Sequence, residues 1–498
     1  MAAPDVEVVG AGPNGLAAAV TLAREGLAVS LLEGADEVGG AARTAETTLP
    51  GLLHDLGSAV HPLAAGSPVL SAWPLSAHGL RWVRPPLALA HPLIDRPAAR
   101  LETSLDGTVA GLGEAGDAWR WLTGPATAAW PSLAEDLLGP QLRVPSAPVT
   151  VARFAARAVW PASWTARLLR DPGARALWAG LAAHASLPLS SPGTSAVALT
   201  LAALGQRVGW PFPVGGAGAL SAALRRYFEH LGGEVTTGRW VKRLDQLPPA
   251  RAILLDVTPR QLLRLAEGRL PGRYAAALRR FRSGEAVVKL DLAVEGGLPW
   301  SDPDCAQAGT VHLGGHFGQL VEAEAEVAAG RLPAAPFVLV AQSGRFDPTR
   351  VVGGVEPVWA YAHLPRRLAG NEAAVAELAD RIVDQVERAA PGTKTRTRAV
   401  RRWGPAELEA WNPNLAGGDI SAGAVTLWQL IARPVPSPRP YATPLPGVYL
   451  CSAATPPGPG VHGMAGFRAA QLAARREFGI CIDLPDSKRQ EGAPRSLR

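Results

Sequence analysis

The stretch VEVVGAGPNGLAAAVTLAREGLAVSLLE, Val6 to Glu33, decides the fold of this chain. Val6–Val9 is a short apolar, β-branched run, which predicts a buried parallel strand. A helical pattern from Leu16 to Leu22 ends at Gly26, and Leu27–Leu32 is typical of a second strand. The order of strand, glycine turn, helix and strand predicts an α/β fold built on a parallel sheet.

The turn between strand and helix has the G-x-G-x-x-G spacing of a dinucleotide-binding loop. The first glycine permits a tight turn, the second lets the backbone approach a pyrophosphate, and the third lets helix and strand pack closely. Glu33 ends the second strand, where a carboxylate accepts hydrogen bonds from ribose hydroxyls and disfavours the 2′-phosphate of NADP. The predicted contacts of the dinucleotide are Gly10, Gly12, Pro13, Asn14, Gly15 and Glu33.

Composition narrows the class of protein. The chain has 498 residues, enough for two or three domains, and 47% hydrophobic against 18% charged residues excludes a disordered chain. The net charge of +6 comes without any long basic run, so nucleic acid is not an expected partner. The three cysteines are far apart in the sequence, which predicts neither a metal site nor a disulfide framework.

Two features bear on the location of the protein. The strand pattern begins within five residues of Met1, which leaves no room for a signal peptide, and a cytoplasmic location is expected. Residues 176–206 carry no Asp, Glu, Lys or Arg, but Pro188, Pro192 and Gly193 interrupt them. We therefore predict two buried helices with a turn between them rather than a membrane span.

Motifs along most of the chain resemble those of the phytoene desaturase-like flavoproteins, within the wider superfamily of flavin amine oxidases. Gly39-Gly40 and Arg43 resemble the second glycine pair of FAD domains of the glutathione-reductase type. Near the other end, the strand Val448–Cys451, a Pro/Gly loop and a helix opening at Gly463-Met464 resemble their C-terminal FAD signature. Further matching segments are HDLGSAVHP (54–62), PVGGAGALSAALRRYFEHLGGEV (213–235), VKLDLAVEGGLPW (288–300), GTVHLGG (309–315), WAYAHLP (359–365), NPNLAGGDISAG (412–423) and YATPLPG (441–447).

The resemblance implies FAD as cofactor and a discontinuous architecture. A Rossmann-like FAD-binding domain would comprise residues 1–66, 213–280 and 400–480. The inserted α+β substrate domain would have a helical part, 67–212, and a sheet from 281–399, and residues 486–498 would be a disordered tail. In the FAD domain, a strand from Arg239 to Leu244 would turn the backbone of Val241 toward the adenine.

The resemblance also implies the chemistry, hydride transfer to flavin N5. The first hypothesis is a desaturase or dehydrogenase that introduces double bonds into a carotenoid or similar apolar polyene. The alternative is an oxidase of the amine-oxidase type acting on a small polar substrate, with an aromatic cage or polar clamp near N5. A third hypothesis, a relative that binds a lipid or protein without catalysis, is disfavoured because both flavin-binding ends are intact.

Three residues are candidates for the chemistry beyond the cofactor loops. By the resemblance, Lys289 in the apolar strand AVVKLDLAV would hold a water against flavin N5, whereas the alternative is a lysine that faces solvent or pairs with a carboxylate. His184 and His462 are candidate site residues, although a histidine in an apolar stretch is more often a hydrogen-bonded core residue. The segment Thr150–Arg170 mixes Arg with Phe, Trp and Leu, which predicts either a peripheral membrane contact or an amphipathic helix packed on its own domain.

Overall fold

The computed structural model describes residues 3–485, so the predicted tail 486–498 lies outside the described residues. Within them, the strands of the two main sheets and two small ribbons are β1 (Val6–Val9), β2 (Val29–Leu32), β3 (Thr44–Glu46), β4 (Leu53–Asp55), β5 (Trp82–Val83), β6 (Leu87–His91), β7 (Ala99–Glu102), β8 (Phe212–Pro213), β9 (Glu234–Thr236), β10 (Ala252–Leu255), β11 (Ala286–Glu295), β12 (Thr310–Leu313), β13 (Val338–Ala341), β14 (Val355–Leu364), β15 (Thr397–Trp403) and β16 (Val448–Leu450).

The α-helices fall mainly between the strands of the first sheet and in the segment 105–208. They are α1 (Pro13–Ala23), α2 (Pro62–Ala65), α3 (Leu105–Gly111), α4 (Gly116–Ala128), α5 (Trp130–Leu137), α6 (Pro148–Ala158), α7 (Ala162–Thr165), α8 (Pro172–Ala183), α9 (Thr194–Val208), α10 (Ala217–His230), α11 (Pro259–Leu265), α12 (Gly272–Arg279), α13 (Phe317–Ala328), α14 (Glu372–Ala389), α15 (Thr393–Arg396), α16 (Pro405–Trp411), α17 (Leu427–Ile431) and α18 (Met464–Ala473).

The first sheet is entirely parallel, with the strand order β16-β10-β1-β2-β9. Helix α1 connects β1 to β2, as the glycine-loop pattern predicts, and ten of its eleven residues are buried. The chain leaves this sheet after Leu32 and returns at Glu234, and its last strand, β16, comes from near the end of the chain. One sheet is thus assembled from stretches that are far apart in the sequence, and the predicted α/β fold is confirmed.

The second sheet has the order β15-β11-β14-β13-β12-β6-β7 and is antiparallel except where β6 runs parallel to β12. Because successive side chains of a strand point to opposite faces, its two faces differ in character. One face is apolar and packs against α14 through residues such as Val288, Leu290 and Ile382. The opposite face, called the inner face below, carries Lys289, Asp291, His312, Trp359, Tyr361, His363 and Trp403, as the strand register shows.

The predicted strand from Arg239 to Leu244 is wrong. The strand of this region is β9, Glu234–Thr236, and residues 239–243 are irregular. Gly238, with φ of 70°, breaks the extended backbone, and the ring of Trp240 lies across Gly34 at the edge of the sheet. Val241 therefore lies in a loop beside the first sheet rather than in a strand.

The segment 67–212 contains more than helices, because β6 and β7 add two strands to the second sheet and β5 pairs with β8 in a small ribbon. Strand β15, Thr397–Trp403, also crosses the predicted boundary at residue 400. The uncharged stretch 176–206 forms the greater part of α8 and α9, with a turn between them, as predicted. Among residues 3–485, no helix is both long and apolar enough to cross a membrane.

Candidate functional site

The glycine loop lies where β1 ends and α1 begins. Gly10 has φ of 95°, a conformation that favours glycine. A Cβ atom on Gly15 would lie 1.9 Å from the carbonyl oxygen of Gly10, so only glycine allows the helix to pack this closely on the strand. The N-terminus of α1 therefore opens at the carboxyl edge of the sheet, where backbone N–H groups can bind a phosphate.

The second glycine pair packs directly against this loop. The backbone N–H of Gly39 donates to the carbonyl of Ala11 at 2.8 Å, and a Cβ on Gly40 would lie 2.9 Å from Cα of Gly12. Arg43 follows the pair and forms an ion pair with Glu37 at 3.4 Å. The structure thus brings together the two glycine motifs that the sequence placed at one cofactor.

Glu33 stands at the end of β2 and faces the glycine loop. Its carboxylate accepts hydrogen bonds from the N–H groups of Ala11 at 2.7 Å and Ala35 at 2.9 Å. The backbone carbonyl of Glu33 accepts from the N–H of Arg239, which places the loop carrying Val241 beside it. Glu33 is therefore oriented by backbone donors next to the position at which a ribose would follow the pyrophosphate.

The C-terminal motif packs on the same helix. A Cβ atom on Gly466, in the first turn of α18, would lie 1.8 Å from the carbonyl oxygen of Asn14 in α1. Gly463 precedes α18 with φ of 69°, and Met464 at its first position is fully buried. Two segments about 450 positions apart in the chain are thus in backbone contact.

His462 has a structural contact that explains its position. Its Nδ1 accepts a hydrogen bond from the backbone N–H of Met464 at 3.0 Å, at the start of α18. The ring is fully buried, and burial lowers the pKa of His462 to about 4. His462 is therefore a neutral residue that shapes the entry to the helix.

Asp256 is a residue of this site that the sequence analysis missed. It follows β10, and its Oδ2 accepts a hydrogen bond from the N–H of Gly15 at 3.0 Å. Burial is the largest influence and raises the pKa of Asp256 to about 7; the Glu33 carboxylate also raises it, and the Gly15 N–H opposes the shift. The only signal in the sequence is an acidic residue directly after the apolar run AILL.

Lys289 lies on the inner face of the second sheet and is 2% exposed. Its Nζ forms an ion pair with Oδ1 of Asp291 at 2.7 Å and lies 5.3 Å from the ring centroid of Trp403. Burial lowers the pKa of Lys289, and the Asp291 carboxylate opposes that shift. Of the two alternatives for its surroundings, pairing with a carboxylate is observed and exposure to solvent is not.

Asp291 connects this sheet to the cofactor-binding edge. Its Oδ2 accepts hydrogen bonds from Nε1 of Trp403 at 2.7 Å and from Oγ1 of Thr47 at 3.0 Å. Thr47 directly follows β3, the strand that the chain enters after the second glycine pair. The Lys289–Asp291 pair is thus tied to the segment that leaves the glycine motifs.

His184 is half-buried and belongs to a cluster of rings beside the inner face. Its Nε2 lies 3.0 Å from Nε2 of His312, and Trp210 and Phe337 pack against it. Burial lowers the pKa of His184 to about 3, so the ring is neutral. The surroundings are those of a hydrogen-bonded core histidine next to the sheet.

A second histidine of the inner face, His363, is held by two hydrogen bonds. Its Nδ1 donates to the carboxylate of Glu324 at 2.9 Å, and its Nε2 lies 2.9 Å from Oγ of Ser186. All three residues are buried, and Ser186 has φ of 50°, which is uncommon outside glycine. Backbone strain of this kind clusters at functional sites.

Comparisons with known proteins agree with this geometry. Residues 8–73 match the family model described as an NAD(P)-binding Rossmann-like domain. The chain is similar to pyridine nucleotide-disulfide oxidoreductase domain-containing protein 2 of Mus musculus, with 30% identity over 303 residues that cover 54% of this chain and 52% of the mouse protein. It spans about half the length of the first curated relatives that it matches.

Solved structures match along nearly the whole chain. An oxidoreductase from Methanosarcina mazei has a TM-score of 0.63 at 16% identity, covering 94% of this chain and 99% of that protein. Cyclohexylamine oxidase from Brevibacterium oxydans has a TM-score of 0.58 at 16% identity, covering 96% and 99%. The chain therefore has an α/β fold with a Rossmann-like dinucleotide-binding domain, and these solved oxidoreductases have a similar fold.

Proposed function

We propose that this protein is an FAD-dependent oxidoreductase that removes a hydride from a small polar substrate such as an amine or alcohol. The observation that carries the proposal is the convergence of three motifs on α1: the glycine loop, the Gly39-Gly40 pair and the C-terminal helix α18. An extended dinucleotide cofactor needs contacts at both of its ends. FAD, when bound, would accept the hydride at N5 of its ring.

The residues at the first sheet fit the ADP half of FAD. Gly12 and Gly40 approach so closely that a Cβ on Gly40 would fill the gap between them, which leaves bare backbone facing the phosphate position. Oδ1 of Asn14, within the described part of the chain, is buried without a hydrogen-bond partner. Glu33 would hold the ribose hydroxyls, and the backbone around Gly463 and Met464 would contact the far end of the cofactor.

The side chains on the inner face of the second sheet favour a small polar substrate over a polyene. The Lys289–Asp291 pair, Tyr361 and His363 stand on one face of adjacent strands, as the register places Lys289 opposite Tyr361 and Val287 opposite His363. Trp359 and Trp403 flank them as aromatic walls. Polar groups and aromatic rings in this arrangement match the clamp expected for a small polar substrate better than the apolar lining a polyene would need.

In this proposal, a proton from the substrate heteroatom would pass to the Ser186 hydroxyl as that hydroxyl gives its own proton to Nε2 of His363, 2.9 Å away. The Glu324 carboxylate accepts the Nδ1 proton, which leaves the Nε2 lone pair directed toward the Ser186 hydroxyl. Lys289 would position a water or a substrate group on the same face. Loss of a proton from the heteroatom strengthens its tendency to expel a hydride from the adjacent carbon.

A polyene desaturase is the second candidate, because the motif resemblance extends over most of the chain. It is supported by an exposed aromatic surface in the segment Thr150–Arg170, where the rings of Trp160 and Trp164 stack at 5.8 Å. These rings are 47% and 52% exposed, and the same stretch of sequence contains several arginines, a combination that suits a membrane interface. We propose that this surface is where the protein would contact a bilayer holding such a substrate.

The decisive test begins with the flavin itself. The purified protein should show flavin absorbance, and acid-released cofactor should be FAD by mass spectrometry. Gly12→Ala should reduce the FAD content, whereas Gly318→Ala, whose Cβ would meet no atom within 4 Å, should leave it unchanged. A correctly folded protein that holds no FAD, even with FAD added, would refute the proposal.

Substrate class is decided by anaerobic bleaching of the bound flavin. A panel of primary amines and alcohols should reduce the flavin, and phytoene in phospholipid vesicles should not. Reduction by phytoene alone would reverse the order of the two candidates. His363→Asn should slow reduction by an active amine while leaving the FAD content unchanged.

A further inference from the structure

The carboxyl group of Asp256 occupies the mouth of helix α1. Its Oδ2 accepts the N–H of Gly15 at 3.0 Å, and a Cβ atom on Gly12 would lie 2.6 Å from that same oxygen. The Cβ of Asp256 lies against Gly10, since a Cβ on Gly10 would be 3.1 Å from it. The Asp256 residue therefore contacts all three glycines of the loop, and its Oδ2 lies beside Gly12 and Gly15.

In its ionised form, a carboxyl group at this position conflicts with a bound pyrophosphate. The N–H groups at the start of a helix bind a phosphate because they are unpaired and lie at the positive end of the helix dipole. In Asp256 the protein itself supplies an acceptor to one of them. An ionised carboxylate at the mouth would also repel the phosphate in a site with little water to screen the charges.

Within residues 3–485, the elements around Asp256 supply no cation without a carboxylate partner to offset that repulsion. Helix α1 has no charged residue, and Arg43 on the glycine-pair loop is paired with Glu37. Arg260 on α11 is half exposed and paired with Glu409 at 3.0 Å. The remaining neighbours that face Asp256 are the Glu33 carboxylate, the buried Cys451 thiol and Asn414, whose amide donates to the Asp256 backbone carbonyl.

We propose that Asp256 makes FAD binding proton-linked: FAD binds when the Asp256 carboxyl is neutral, and one proton is taken up from solvent when the ionised form binds FAD. The proposal rests on FAD being the cofactor. In its neutral form the carboxyl can turn its O–H toward a phosphate oxygen, so the repulsion becomes a hydrogen bond. Asp256 then sets how strongly FAD affinity depends on pH.

The expected size follows from the fraction of protein that is competent to bind. With the pKa of Asp256 at about 7, most of the carboxyl is neutral at pH 6 and most is ionised at pH 8. If only the neutral form binds, the apparent Kd is the intrinsic value divided by the neutral fraction, and it rises about tenfold from pH 6 to pH 8.

The experiment measures FAD binding directly. Protein freed of flavin by dialysis against concentrated bromide is titrated with FAD at pH 6, 7 and 8 and constant ionic strength, and binding is followed by quenching of flavin fluorescence. The unmodified protein should bind about tenfold more weakly at pH 8 than at pH 6. Asp256→Asn should remove this slope, that is, this dependence of FAD affinity on pH, and should bind FAD at pH 8 about tenfold more tightly than the unmodified protein does. Asp380→Asn, on the exposed side of α14, is the matched control and should keep the slope.

Proton uptake provides a test that needs no variant. Calorimetric titrations at pH 8 in two buffers with different ionisation enthalpies should show close to one proton taken up per FAD, and near zero at pH 6. Equal slopes in the unmodified protein and Asp256→Asn, or no proton uptake at pH 8, would overturn the proposal. A folded protein that binds no FAD at pH 6 would instead refute the proposed function, and with it this proposal.

Discussion

The buried ion pair on the inner face makes a quantitative prediction about stability. Lys289 and Asp291 are 2% and 0% exposed, and their charged atoms are 2.7 Å apart. Removing one partner of such a pair leaves a buried charge uncompensated and costs about 3–5 kcal/mol of the free energy of unfolding. The two single substitutions should differ, because Asp291 keeps hydrogen bonds from Trp403 and Thr47 when the lysine is removed.

At neutral pH we therefore expect Lys289→Met to cost about 3 kcal/mol of the free energy of unfolding and Asp291→Asn to cost about 5 kcal/mol. Asp291 raises the pKa of Lys289 against the lowering effect of burial, so its removal lets the pKa fall further. The lysine of Asp291→Asn is then stabilised by losing its proton. The loss of unfolding free energy caused by Asp291→Asn should therefore become smaller as the pH rises.

The assay is a double-mutant cycle from urea unfolding, followed by far-UV circular dichroism and tryptophan fluorescence. The double variant Lys289→Met/Asp291→Asn should be more stable than the sum of the single losses predicts, by about 2 kcal/mol or more, since it leaves no unpaired charge. The matched control is the exposed pair Lys394–Asp384, with its atoms 2.6 Å apart, whose cycle should give no resolvable coupling. Additive losses at the Lys289–Asp291 pair, or a neutral Lys289→Met, would show that the pair does not carry this energy.

Four further predictions test other parts of the structure. Lys289→Met should retain FAD but slow reoxidation of the reduced flavin by oxygen in stopped-flow measurements, and an unchanged rate would remove Lys289 from the proposed chemistry. Gly466→Ala should lower the melting temperature by several degrees, because its Cβ would lie 1.8 Å from the Asn14 carbonyl oxygen. Gly318→Ala should leave the melting temperature unchanged, and equal melting temperatures for the two variants would refute the packing of α18 on α1. The free energy of unfolding should fall as the pH drops from about 6.5 toward 4, because the unfolded chain then takes up protons on histidines that burial keeps neutral in the fold. The histidines whose pKa is lowered to about 4 are His54, His61, His91 and His462. A melting temperature unchanged over that pH range would contradict their burial. Finally, the protein should co-sediment with vesicles of anionic phospholipid and lose that binding in Trp160→Ser/Trp164→Ser, while an unmodified protein that stays in the supernatant would rule out the proposed membrane contact.

The sequence predicted the elements whose signals are local. The strands β1, β11 and β12 and the helices α1 and α14 lie within a residue or a few of the expected positions, because each has a long or uninterrupted periodic pattern. Strand β9 was missed, since two of its three residues, Glu234–Thr236, are polar and the strand lies at the edge of the sheet. Strands β6 and β7 were missed for a different reason: short runs rich in Ala and Leu carry no preference that separates a strand from a helix.

Site residues could be predicted from the sequence only where all the residues that form a contact belong to one short motif. Gly10, Gly12 and Gly15 are such a case, since the backbone geometry that they permit is local. Asp256 acts on the same loop from 241 positions away, and nothing near it in sequence shows which N–H it will contact. Ser186, Glu324 and His363 likewise come from a loop, a helix and a strand far apart in the chain, and only the tertiary fold places their polar atoms within hydrogen-bonding distance.

Lys289 shows how far a local pattern reaches and where it stops. A lysine inside an apolar strand is a charged side chain in a segment that is expected to be buried. Asp291, two residues later, lies on the same face of that strand. An ammonium and a carboxylate on one buried face would each be costly alone, so their pairing follows from the sequence once burial is granted. Burial itself comes from β14 and β15, which flank β11 and place Tyr361 and Trp403 beside the lysine, and from Thr47, which covers Asp291. Because Thr47 belongs to the segment that leaves the second glycine pair, the same contact that buries the ion pair also fixes it relative to the cofactor-binding edge, and any displacement of that segment should alter both flavin binding and the state of Lys289.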